Sequence, residues 1–116
     1  MLHHVGIEVG PGDMDGATRF FELLGLERVE PPPALAEFTW LQSEGTQVHL
    51  MPTESPTVPP RGHLAVLAPD FEATIERLRA GGFEVERRRE HWGAPRAVAI
   101  CPGGHRVELT ENPPAR

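Results

Sequence analysis

The chain has 116 residues, 39% of them hydrophobic and 24% charged, which sets the expectation of one domain with a single core. Its formal net charge of −6 argues against a general nucleic-acid binder, which needs a basic patch. No apolar run approaches the ~18 residues of a membrane span, and the first residues read as a strand rather than a signal peptide.

Residues 3–9 alternate apolar and polar side chains and predict a strand. The turn residues Pro11, Gly12 and Asp13 lead into a helix expected over 15–24, with Ala17, Phe20, Phe21 and Leu24 as its buried stripe. Asp13 or Asp15 can cap its start, and Gly25 stands where the helix should end. Strands follow over 26–30, 37–42 and 47–51, the last two joined by a tight turn at Glu44-Gly45. The Pro-rich stretches 31–33 and 52–60 read as connections.

The same order then returns. A strand over 63–67 leads into a helix carrying Phe71, Ile75 and Leu78, which Gly81-Gly82 ends. Strands are expected over 83–89, 95–101 and 105–110, with Gly103-Gly104 as the last hairpin turn. The expected organisation is one domain over 1–116: module one 1–52, a linker 53–61, module two 62–111 and a frayed tail 112–116.

The repeat carries four residues fit to hold a metal ion. His4 to His63 is 59 residues (63 − 4), and His49 to Glu108 is also 59 (108 − 49). Strand alternation gives their direction. Val5, Ile7 and Val9 would meet the helix, so His4, Gly6 and Glu8 face away. Val48 and Leu50 oppose His49 and Met51, while Val107 and Leu109 oppose Arg106 and Glu108. All four candidate ligands therefore share the non-helix face. The expected hairpins pair Trp40 with His49, Phe38 with Met51, and Ala99 with Glu108, giving a pocket with apolar walls around a few polar groups.

The segments LHHVGIEV, FFELLGLE, GHLAVLAPDFEATIERLRAGGFEV and CPGGHRVEL resemble the vicinal oxygen chelate superfamily, the glyoxalase, bleomycin-resistance and extradiol-dioxygenase group, over nearly the whole chain. The closing segment is similar to that family's Asp-Pro-x-Gly-Asn-x-Ile-Glu-Leu pattern, with Cys101 for the Asp and His105 for the Asn. The resemblance implies an α+β fold of two βαβββ modules in a curved, half-open barrel. It also implies metal ligands at His4, His49, His63 and Glu108. A His at the second of these is less usual for glyoxalase-type members, and the two-His-one-carboxylate set of extradiol dioxygenases would map to His4, His63 and Glu108.

The leading expectation is a metal-dependent lyase or isomerase resembling glyoxalase I, acting on a small substrate with vicinal oxygens. A divalent Zn, Ni, Fe or Mn ion would act as a Lewis acid, and Glu108 or Glu8 would move the proton. Phe38, Trp40, Met51 and Ala99 would line the substrate pocket, and Arg96 and Arg106 would hold an anionic group. The alternatives are a non-catalytic binding protein of the bleomycin-resistance type and an Fe(II) extradiol-type dioxygenase. Arg87, Arg88 and Arg89 read as a solvated strand face. His3, His91 and His105 read as surface or loop residues, and Trp92 as a residue that could cover the pocket mouth. The single cysteine, Cys101, reads as a small buried thiol, and with no internal partner it fits a reducing, cytoplasmic compartment. A homodimer is expected, with the modules pairing within a chain or swapping across two.

Overall fold

The alternation from His4 to Val9 forms β1 (His4–Val9), with Ile7 and Val9 buried and His4 and Gly6 exposed. A 3-10 turn at Pro11–Asp13 starts α1 (Met14–Leu23), whose stripe buries Ala17, Phe20 and Phe21. Three strands complete module one: β2 (Glu27–Val29), β3 (Thr39–Ser43) and β4 (Thr46–Pro52). Module two repeats the order as β5 (Leu64–Leu67), α2 (Phe71–Ala80), β6 (Val85–Arg88), β7 (Arg96–Ile100) and β8 (Arg106–Thr110). These elements come from a computed structural model that describes residues 1–114; positions 115 and 116 of the expected tail lie outside the described residues.

Each module is a mixed four-stranded sheet backed by one helix, in the orders β1-β4-β3-β2 and β5-β8-β7-β6. The first and last strands of each module pair in parallel, so His4 and His49 share one sheet and Glu108 and the residue after His63 share the other. Among the described residues the two sheets share no strand pairing, and no closed barrel forms. The fold is α+β, as expected.

One core joins the modules. Val9, Phe20, Phe21, Leu41 and Leu50 from the first, with Phe71, Ile75, Leu78, Val107 and Leu109 from the second, form a continuous buried cluster. Burying each large apolar side chain contributes about 1.5–3 kcal/mol relative to exposure. The ring of Phe20 meets that of Phe83 edge-on at 5.4 Å, and Arg77 Nε donates to the Leu23 carbonyl at 3.3 Å. His105 is buried rather than a surface residue, and its Nε2–H donates across the modules to the Glu8 carbonyl at 2.6 Å. No helix is long and apolar enough to cross a membrane.

Loop length decides register at the two hairpins. Glu44 and Gly45 both adopt positive φ (49° and 81°), the two-residue turn that suits strand twist, and Trp40 pairs with His49 as expected. At the second hairpin the Cys101 N–H donates to the His105 carbonyl at 2.9 Å, closing a three-residue loop of Pro102, Gly103 and Gly104. That extra residue shifts the register by one, which exchanges the faces. Val98, not Ala99, stands opposite Glu108, while Ala99 is opposite Val107 and buried in the core. The assignment of Ala99 to the substrate pocket is therefore wrong.

The expected strands over 26–30 and 37–42 contract to Glu27–Val29 and move to Thr39–Ser43. The prolines supply no N–H, and a 3-10 turn at Pro33–Leu35 occupies the connection. Phe38 consequently precedes β3 and has no place in its ladder with β4, so the expected pairing with Met51 does not form.

Candidate metal centre

In module two, β8 carries Glu108 to the face away from the helices, beside His63 at the entry to β5. His63 Nδ1 lies 2.9 Å from the Arg61 carbonyl, which can only accept, so Nδ1 carries the proton. The lone pair of Nε2 is thereby left for a ligand, and it lies 3.6 Å from Glu108 Oε2. This arrangement, one ring nitrogen anchored to a carbonyl and the other free, is how metal-ligating histidines are oriented.

The other Glu108 oxygen is occupied. Arg96 Nε donates to Oε1 at 2.6 Å, and Arg96 Nη1 donates to the Arg89 carbonyl at 2.8 Å. The guanidinium also lies over the Trp92 ring, 5.6 Å from its centroid. Both partners of the ion pair are largely shielded from water, with side chains 16% and 10% exposed, so solvent screens it less than a surface pair.

In module one, Gly6 stands opposite His49 and contributes no side chain between the strands. The ring of His4 stacks on that of His49, with centroids 4.1 Å apart. Trp40 stacks on His49 as well, at 4.0 Å and 2° from parallel. Gln47 Nε2 donates to Gln42 Oε1 at 2.8 Å, which turns Gln47 Oε1 toward His49 Nε2 at 2.7 Å. His49 Nε2 thus carries the proton, and its free nitrogen is Nδ1. Burial holds the His49 pKa below its ordinary value, helped by charge on His4 and His3. His3 and His4 meet through their Nδ1 atoms at 2.8 Å. Trp40 Nε1 is buried with no hydrogen-bond partner.

The four expected ligands therefore stand as two pairs. Among the described residues no three His, Cys, Asp or Glu side chains gather closely enough to hold one metal ion. A trough of about 1100 Å³ runs between the edge strands β1 and β5. Glu8, Met51 and His63 lie on its wall, while His4, His49 and Glu108 do not. Glu8 is engaged with the linker, its Oε1 accepting the Thr57 N–H at 2.7 Å. Met51 packs against Gly6, where a Cβ would lie 3.3 Å from its terminal carbon. Arg106, on the same face as Glu108, has no hydrogen-bond or ion-pair partner among the described residues. Cys101 is fully buried, and desolvation, with the Asp13 charge, pushes its thiol up to about 12.

Sequence reasoning missed the grip of Arg96 on Glu108. Arg96 is opposite Thr110, and so diagonal to Glu108 across the β7–β8 pair, within reach of a long side chain. With the correct register that neighbour was countable. The glutamine relay behind His49 carried no comparable signal.

A family model described as the Glyoxalase/Bleomycin resistance protein/Dioxygenase superfamily matches residues 1–109. The chain is similar to a crystal structure described as a glyoxalase family protein from Bacillus anthracis: 22% identity, TM-score 0.85, with 97% of this chain and 95% of that one covered. It is similar to the fosfomycin resistance protein FosX of Listeria monocytogenes at 19% identity and TM-score 0.79, covering 97% and 91%. It is also similar to a lactoylglutathione lyase from Agrobacterium tumefaciens at 20% identity and TM-score 0.73, covering 95% and 92%. No curated protein matches the chain by sequence. At these identities the structural likenesses concern the fold alone.

Proposed function

The chain belongs to the Glyoxalase/Bleomycin resistance protein/Dioxygenase superfamily, and on that premise we propose a metal-dependent lyase or isomerase acting on a small substrate with two neighbouring oxygen atoms. The observation that carries this reading is the His63–Glu108 pair, in which an anchored imidazole leaves Nε2 facing a shielded carboxylate oxygen at 3.6 Å. By donor type His4, His63 and Glu108 would suit a divalent Zn, Ni, Fe or Mn ion once brought together, and His49 would join them through Nδ1. When bound, the ion would polarise the substrate oxygens as a Lewis acid.

Completing the site calls for bringing the His4–His49 pair to the His63–Glu108 pair. A second copy of the chain, placing module one of one protomer against module two of the other, would build two such sites in a homodimer. Arg106, without a partner of its own, would hold an anionic group of the substrate, with Trp40 and Met51 as apolar neighbours. Arg96 is committed to Glu108 and is not part of that contact. A carboxylate on the same face, Glu8 or Glu108, would move the proton. The lone buried Cys101 supports a reducing, cytoplasmic setting.

A second reading is a binding protein without catalysis. The flat stack of Trp40, His49 and His4 would suit an aromatic ligand. Elemental analysis after reconstitution with each of the four metals separates the two. About one ion per chain supports the metal enzyme, and none supports the binder.

A further inference from the structure

We propose that Arg96 is a positioning residue that restricts Glu108 to a single free carboxylate oxygen and ties it to the loop carrying Trp92. The proposal rests on the metal reading of the site and names what sets the geometry of its only acidic ligand.

The two oxygens of Glu108 have different partners. Oε1 accepts a charge-assisted bond from Arg96 Nε at 2.6 Å, and Oε2 faces His63 Nε2 at 3.6 Å. A carboxylate with both oxygens free can rotate, chelate through both, or leave and carry a proton. With Oε1 held, it presents Oε2 alone, in a direction fixed by the guanidinium.

Arg96 is itself held from two further sides. Its Nη1 donates to the Arg89 carbonyl at 2.8 Å, and its Cζ lies over the Trp92 ring, 5.6 Å from the centroid. Arg89 and Trp92 belong to the connection between β6 and β7. One side chain thus joins that connection to the carboxylate. Lysine has no planar fork and cannot reproduce three directed contacts at once.

Two consequences follow. Glu108 keeps Oε2 alone for a ligand or a proton. Arg96 is withdrawn from substrate binding, which leaves Arg106 as the cation for an anionic group.

The test has two arms. The first uses metal-free protein carrying Trp40→Phe, so that Trp92 alone fluoresces. Adding Glu108→Ala, which removes both acceptor oxygens, should release Arg96 and give a red-shifted Trp92 emission that acrylamide quenches more readily. Arg96→Lys should give the same change. Trp92 emission unaltered in both variants would overturn the tie.

The second arm measures Co(II) affinity and the visible Co(II) spectrum. Arg96→Lys should weaken binding about 10–100-fold, as loss of a ligand's outer partner does, and shift the absorption bands. Wild-type affinity with an unchanged spectrum would overturn the positioning role. Wild-type protein that takes up no Co(II) would overturn the metal reading itself and with it the ligand part of the proposal, while the first arm still decides the tie between Arg96, Glu108 and Trp92.

Discussion

His49 lies flat against Trp40, with ring centroids 4.0 Å apart and planes 2° from parallel, and the ring of His4 covers its other face. Burial between rings disfavours the charged imidazole, and positive charge on His4 and His3 disfavours it further. The unfolded chain therefore binds the His49 proton more readily than the folded one. His49 contributes its full stability above about 6.5, and that contribution is lost as pH falls through its lowered pKa. In metal-free protein, NMR titration of the His49 ring should give a midpoint below 6.5 that rises in His4→Ala. A midpoint at or above the ordinary value would contradict the packing.

Cys101 gives a second, independent pH test. The chain has no Tyr, and all 11 of its Lys and Arg residues are Arg, so between about pH 9 and 11 only this thiol titrates among the side chains. Burial raises its folded value to about 12, so the folded state keeps a proton that the unfolded chain releases. Its contribution is fully present below the unfolded pKa and lost as pH rises toward about 12. Urea unfolding should show a loss of about 2–3 kcal/mol between pH 9 and 11, an order-of-magnitude figure at 1.36 kcal/mol per unit. Cys101→Ala should start from lower stability but show no such slope.

The two modules share one core through Phe20, which is fully buried and meets Phe83 across the module boundary. Phe20→Ala should cost about 3–5 kcal/mol, measured by urea unfolding. The loss should appear as one cooperative transition. Two separated transitions would mean that the modules fold independently.

The repeat was the legible part of this sequence. A common interval of 59 residues marked the two copies of one unit, and strand alternation set His4, His49 and Glu108 apart from the core-facing Ile7, Val9, Val48, Leu50, Val107 and Leu109. Trp40 opposite His49 was also legible, because Glu44-Gly45 forms the two-residue turn its residues suggest. The second hairpin failed for a small reason. Gly103-Gly104 looks like a two-residue turn, but Pro102 joins the loop, and one extra residue sent Ala99 into the core and Val98 to the site. Phe38 was misplaced because the proline turn before β3 consumes residues that alternation alone would assign to the strand.

The relation between the two ligand pairs lay beyond spacing altogether. A 59-residue interval says that His4 and His63 occupy equivalent places in two units. It does not say how those units dock, which depends on contacts such as Phe20 with Phe83 and His105 with Glu8. The Arg96 contact was hidden by the same register error that misplaced Ala99.

Mixing two metal-deficient variants tests most directly whether the pairs meet across two chains. His4→Ala and His63→Ala should each fail to bind a divalent ion. Refolded together, half of the dimers should be mixed, each with one site made from the intact His4 of one chain and the intact His63 and Glu108 of the other. Elemental analysis should then find about one ion per four chains. A mixture that binds no metal, although the wild-type protein does, would contradict the shared site.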